Sequence, residues 1–295
     1  MTHFKIAQRM TLIFTVIMLL IASSGAVYAE TADPKLYTLE TGIRVQNIGD
    51  TTSRYVRIRA PLISTDQRYG TILEESYNLE PDEIIEENGK RIGVFYVRNL
   101  RPGSSFTLSI RYTVDRSPSQ INEMAEAWEN GDEPKIAADN PTIIRQAHSI
   151  TNGLTNQQDK VQALLHFTND HIRYDRNSEY RNQGALSALT NKVGVCEDYA
   201  TLFVSLARAS GIESRMVYGY YYSERRQLWE RHAWAEFRIE DGSWTPVDPT
   251  MGTAIGLESY NGVYIAQWHR DLPIRMGFVG GRIQGGMQTS VSAVD

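Results

Sequence analysis

The stretch Gly194-Val195-Cys196-Glu197-Asp198-Tyr199-Ala200 holds the single cysteine of a 295-residue chain, and a helical pattern begins directly behind it. Tyr199, Leu202, Phe203, Leu206 and Ala209 recur at three- and four-residue steps, which places them on one face of a helix. Ser210-Gly211 supplies its stop signal. Cys196 therefore sits at or just before the first turn, where unpaired N–H groups and the helix dipole favour negative charge. Taken alone, a lone cysteine is more often a small buried hydrophobe than a reactive group. The residues downstream reverse that reading.

After Gly211 come two strand-like segments, Arg215–Tyr222 and His232–Ile239, joined by the polar run Ser223-Glu224-Arg225-Arg226. Asp241-Gly242 is a tight-turn signal, and Trp244–Val247 returns as a third strand that ends at Asp248-Pro249-Thr250. His232 lies 36 residues after Cys196, and Asp248 lies 16 residues after His232. A hairpin puts the start of one strand beside the end of the next, so imidazole and carboxylate belong at one sheet edge. A thiol, an imidazole and a carboxylate at one locus are a nucleophile, its base and the group that orients the base. One count opposes this. A two-residue loop at Asp241-Gly242 pairs Glu240 with Ser243 and His232 with Met251, which leaves Asp248 on the opposite face. A bulge, or distortion at Pro246, is needed to correct it.

The cysteine block, then Gly211-Ile212 with Arg215, then His232-Ala233-Trp234, then Trp244 and Asp248-Pro249-Thr250, together resemble the transglutaminase-like superfamily over roughly residues 155–250. The resemblance implies a papain-like α+β core with Cys196 as nucleophile, His232 as general base and acid, and Asp248 as the orienting carboxylate. The backbone N–H of Cys196 is the obvious first oxyanion donor; Tyr174 and Gln183 are the candidates for a second. Glu197 and Asp198 flank the thiol and must point away from it or serve as first-turn acids of the helix.

Upstream, Leu36–Leu39, Ile43–Val45, Tyr55–Arg59, Arg91–Val97 and Phe106–Val114 alternate apolar with polar residues between turn clusters. This predicts an immunoglobulin-like β-sandwich over residues 30–115, the kind of module found ahead of the core in some members of the superfamily. Residues 116–140 read as a linker with a short helix at 121–128. The catalytic domain is expected over 141–275. It opens with Asn140-Pro141 as cap and first helical residue, and continues with a capping box at Thr155 and Gln158. Residues 276–295, rich in glycine, read as a C-terminal tail. The expected fold class is thus α+β, a papain-like transglutaminase core of helices on an antiparallel sheet preceded by a sandwich.

Lys5 and Arg9 precede an apolar run, Thr11–Ala22, and Val27-Tyr28-Ala29 offers a small-residue cleavage site, so residues 1–29 read as a secretory signal peptide. Left uncleaved, the segment would be a membrane tether. The formal charge of −5 becomes −7 once Lys5 and Arg9 are lost, which disfavours a nucleic-acid partner. A single cysteine and scattered histidines offer no metal-ligand cluster, and no cofactor is expected. The expected location is extracytoplasmic and the expected partner a protein or peptide, exported or of the cell wall. Three functions remain open on sequence: acyl transfer from a glutamine carboxamide to an amine, hydrolysis of a peptide or amide bond by the same thioester route, and a non-catalytic binding scaffold.

Overall fold

In the computed structural model, the described residues are 36–64, 71–87, 90–115, 133–223, 225–240, 242–254, 263–268 and 272–292. The expected signal segment and the helix expected at 121–128 lie outside them. Strands β1 (Leu36–Asn47), β2 (Ser53–Pro61), β3 (Thr71–Tyr77), β4 (Glu83–Glu87), β5 (Lys90–Leu100) and β6 (Ser105–Asp115) come first. Four helices and short pieces follow: α1 (Pro141–Thr151), α2 (Gln157–His171), β7 (Arg173–Tyr174), α3 (Ala185–Asn191), β8 (Val193–Gly194) and α4 (Cys196–Ala209). The chain continues through β9 (Ser214–Ser223), β10 (Leu228–Arg238), β11 (Trp244–Asp248), β12 (Thr253–Ala254), β13 (Val263–Trp268), β14 (Arg275–Val279) and β15 (Ile283–Ser292).

Two four-stranded sheets, ordered β15-β1-β6-β3 and β14-β2-β5-β4, face each other as a β-sandwich. Alternation drives it: Val56, Ile58 and Ala60 of β2 point inward and are buried, whereas Tyr55, Arg57 and Arg59 point out. The glycine-rich C-terminus is not a tail. β15 pairs with β1 along ten residues and β14 pairs with β2 along five, so the last strands complete both sheets. Two glycine pairs explain why the pattern hid them. Gly280 and Gly281 turn the chain at positive φ, and the Met276 side chain lies where a Cβ on Gly285 would stand. Strands β3 and β4 also escape the periodicity count, because their Glu-rich faces are half solvated.

The second layer is the five-stranded antiparallel sheet β12-β11-β10-β9-β13. One end of its inner face, with Met216, Ala233, Ala235, Phe237 and Val247, belongs to one buried cluster with residues of α1, α2 and α4, and α4 is the helix that lies on β9 and β10. α4 is central, with Leu202, Phe203, Val204 and Leu206 fully buried. Fully burying one such side chain is worth about 1.5–3 kcal/mol. Asn140 caps α1 as expected, its side chain accepting from the Thr142 N–H. In α2 the cap is Asn156, not Thr155: its side-chain carbonyl accepts from the N–H groups of Gln158 and Asp159. At the end of the expected linker, Ile136 and Ala137 pack against the helical core, and Ser205 accepts from the Ala137 N–H.

Sandwich and sheet share side chains. Tyr220 and Tyr222 of β9, Trp229 of β10 and Ile265 of β13 are buried in the sandwich core. The Trp229 indole donates to the Thr38 carbonyl at 2.9 Å, and Tyr37 meets the Tyr222 ring edge-on at 4.6 Å. Residues 36–292 should therefore unfold as one unit. Trp229→Ala should cost about 3–5 kcal/mol and lower the urea midpoint of sandwich and core signals together. Two separated transitions in the wild type would contradict the shared core.

Candidate active site

The local structure at Cys196 follows from its neighbours. α3 ends on Lys192 in the left-handed conformation, and Val193-Gly194 then pairs in parallel with Arg173-Tyr174. This short ribbon aims the chain at the start of α4, whose first residue is Cys196. The Asp198 carboxylate reaches back to the Val195 N–H at 2.9 Å and takes the Asn182 N–H at the same distance. Gly194 permits this, since a Cβ there would sit 2.5 Å from the Asp198 Cβ. Glu197 forms an ion pair with Lys135. Both acidic neighbours of the thiol are thus engaged elsewhere. Cys196 is half-buried and keeps an opening to solvent, and its N–H is among the unpaired first-turn donors of the helix.

His232 is not at a strand start but is the fifth residue of the eleven-residue β10. Its Nε2 lies 2.7 Å from Asp248 Oδ2. The carboxylate only accepts, so Nε2 carries the proton and donates, and Cys196 lies near enough to the ring to help raise it. The face problem is solved by register. The hairpin pairs Arg238 with Trp244 and Ala235 with Val247 around a five-residue loop, not a two-residue one. That one-position slip continues to Trp234 opposite Asp248, so Asp248 shares a face with both Trp234 and His232, two residues apart on one strand. No bulge at Pro246 is involved: Pro246 pairs regularly with Glu236.

A residue that the sequence pattern did not single out completes the triad's support. Tyr264, on β13, donates its hydroxyl to Asp248 Oδ2 at 2.7 Å, the same oxygen that receives His232. Asp248 Oδ1 takes the Thr250 N–H at 2.9 Å. Burial alone would raise this fully enclosed carboxyl, but the His232 cation and the hydrogen bonds outweigh it and hold Asp248 below the usual range. For His232 burial pulls downward, while the charge and hydrogen bond of Asp248 and the sulfur of Cys196 raise it to about 10. Trp234 stacks near-parallel to the imidazole at 6.2 Å, and Tyr221 and Tyr264 flank it at 5.7 and 5.9 Å. These π-faces suit a cation.

Tyr174 and Gln183, the candidates for the second oxyanion donor, each make a hydrogen bond that leaves a donor proton uncommitted. The Tyr174 hydroxyl accepts from Arg176, and the Gln183 amide donates to the Glu179 carbonyl. Arg215 pairs across β9–β10 with Glu236 at 2.7 Å, both nearly inaccessible, and the Trp244 ring covers the guanidinium at 3.9 Å. This pair fixes the sheet beneath the site. Among the described residues no cluster of three metal-ligating side chains occurs.

Three outcomes follow. Arg215→Met should destabilise by about 3–5 kcal/mol, because Glu236 is left as an unpaired buried charge, read as a fall in the denaturant midpoint. Tyr264→Phe should keep the fold but lower turnover about tenfold, since one hydrogen bond to a charged carboxylate is worth about 1.5–3 kcal/mol. The raised His232 contributes stability that is fully present below about pH 6.5 and is lost as pH rises through about 10. The stability gap between wild type and His232→Gln should therefore be widest near pH 6 and shrink toward pH 10.

Comparison with known proteins agrees with this geometry. Residues 144–249 match the model of the transglutaminase-like superfamily. A candidate cysteine protease from Cytophaga hutchinsonii superposes with a TM-score of 0.62 at 20% identity, over 90% of this chain and 92% of that one. The periplasmic domain of TgpA from Pseudomonas aeruginosa aligns with a TM-score of 0.36 at 19% identity, over 73% and 91%. No curated protein matches the chain. Residues 144–249 are thus similar to the transglutaminase-like superfamily, and the geometry of the site is consistent with that match.

Proposed function

We propose that the protein is an exported, cysteine-dependent acyl-transfer enzyme acting on glutamine carboxamides or peptide and amide bonds. The observation that carries the reading is the imidazole of His232 hydrogen-bonded to buried Asp248, with the half-buried Cys196 beside the same ring. In this reaction the Cys196 thiolate attacks the carbonyl carbon, and the carbonyl oxygen becomes an oxyanion facing the first-turn N–H groups of α4. The tetrahedral species collapses to a thioester as His232 gives its Nδ1 proton to the departing amine. A second nucleophile then enters. His232 takes its proton, the new bond to carbon forms and the thiolate leaves. Asp248 remains ionised and steadies the imidazolium throughout. Acid–base work of this kind is worth about 10²–10⁴-fold.

The second nucleophile decides the reaction class. An amine gives a cross-link or amide exchange, and water gives hydrolysis, the reading that the likeness to a candidate cysteine protease favours. Export is supported by Lys5, Arg9, the apolar run Thr11–Ala22 and the Val27-Tyr28-Ala29 site. The substrate is then a protein or peptide outside the cytoplasm, of the cell wall or exported.

The test is incorporation of a fluorescent primary amine into a glutamine-rich protein, run beside cleavage of a peptide library. Either activity should be present in wild type and fall at least about 10³-fold in Cys196→Ala. If neither appears, and Cys196 labels no faster with a haloacetamide than a free thiol does, the scaffold reading replaces the enzymatic one.

A further inference from the structure

The outer face of the sheet β14-β2-β5-β4 carries a row of arginines that the catalytic reading does not use. Arg59 of β2 stands directly opposite Arg275 of β14, and Arg57 follows two residues along on the same face. Directly opposed like charges destabilise a sheet. Among the described residues none of these three arginines has an ion-pair partner, and Arg57 Nε is buried without an acceptor. The acids nearest in register are engaged or distant. Asp82 pairs with Arg98, and Glu83 lies two strands over from Arg59, beyond Val94. In a chain of formal charge −5 this is a concentration of positive charge on one face. Tyr55 and Tyr96 lie on the same face, ring edge to ring at 5.5 Å.

A second feature adjoins it. β14 ends its sheet, so one side of its backbone has no strand beside it among the described residues. Its residues Met276, Phe278 and Val279 are 40–46% exposed. Opposite Arg57 it has Gly277, where an added Cβ would meet nothing within 4 Å. Gly277 thus leaves space beside Arg57, which like Arg59 is half-buried, while Arg275 is exposed.

We propose that β14 and the Arg57, Arg59 and Arg275 row form a docking edge for an acidic polypeptide in extended conformation. The peptide adds a strand beside β14 through main-chain hydrogen bonds, and its alternate side chains, carboxylates, reach the arginine row. A bare polyanion or an anionic lipid surface would use the arginines but not the strand edge. The edge of β14, which has no strand beside it among the described residues, is what commits the site to a polypeptide. The site is remote in sequence from the triad and does not depend on the enzymatic reading.

The experiment measures fluorescence anisotropy of fluorescein-labelled (Val-Glu)4 with the full chain. The peptide should bind, bind more weakly as salt rises, and lose about tenfold or more in affinity with Arg57→Glu, Arg59→Glu and Arg275→Glu combined. The same peptide N-methylated at alternate amides, and (Val-Lys)4, should not bind. A melting temperature close to wild type qualifies the triple variant. If it fails to fold, Arg275→Gln alone, at an exposed position, should weaken binding about threefold. Absence of binding at millimolar peptide, binding indifferent to the arginines, equal binding of the N-methylated peptide, or capture of phosphatidylglycerol vesicles in place of the peptide would each overturn the proposal.

Discussion

The site depends on one buried carboxylate. Asp248 has no solvent exposure and receives His232, Tyr264 and the Thr250 N–H. Stripped of water, an ionised carboxylate is tolerated only with such donors and a cation beside it. His232 is that cation, and its proton is held because Asp248 cannot be left alone. Cys196 lies beside the same ring, so the charge that stabilises the carboxylate also serves the nucleophile.

That arrangement needs three strands and a helix held in register. β11 supplies Asp248, β10 supplies His232 and Trp234, β13 supplies Tyr264, and α4 supplies Cys196. The buried Arg215–Glu236 pair locks β9 to β10 at the end away from the sandwich. At the other end β13 is fixed by the sandwich itself. Ile265, next to Tyr264, is buried in the sandwich core; the Ala266 carbonyl accepts from Ser64 N–H, and Gln267 donates to the Pro61 carbonyl. The sandwich is thus part of the scaffold that holds Tyr264 on Asp248.

The three candidate residues Cys196, His232 and Asp248 could be picked out in the sequence because their signals are local. A helix start at Cys196, a strand through His232 and a strand end at Asp248 can each be read from a few neighbours. The hairpin register was not legible. Asp-Gly suggests a two-residue loop, but the Ile239 N–H bonds to the Ser243 carbonyl and the Gly242 N–H to Ile239, which widens the loop and moves every pair by one place. Tyr264 was hidden for a different reason. Nothing in β13 distinguishes a tyrosine that packs from one that donates to a carboxylate 16 residues away. The C-terminal strands were missed because pairing with β1 and β2 is a non-local gain that a glycine-rich stretch does not advertise.

The central claim is that Asp248 holds a proton on both nitrogens of His232 at neutral pH, and ¹⁵N NMR of the ring tests it most directly. The account predicts a doubly protonated His232 through pH 8 that titrates near pH 10. In Asp248→Asn the ring should instead titrate well below that, because burial then acts with less opposition. A wild-type imidazole already neutral at pH 7.5, or one whose titration is the same in Asp248→Asn, would contradict it.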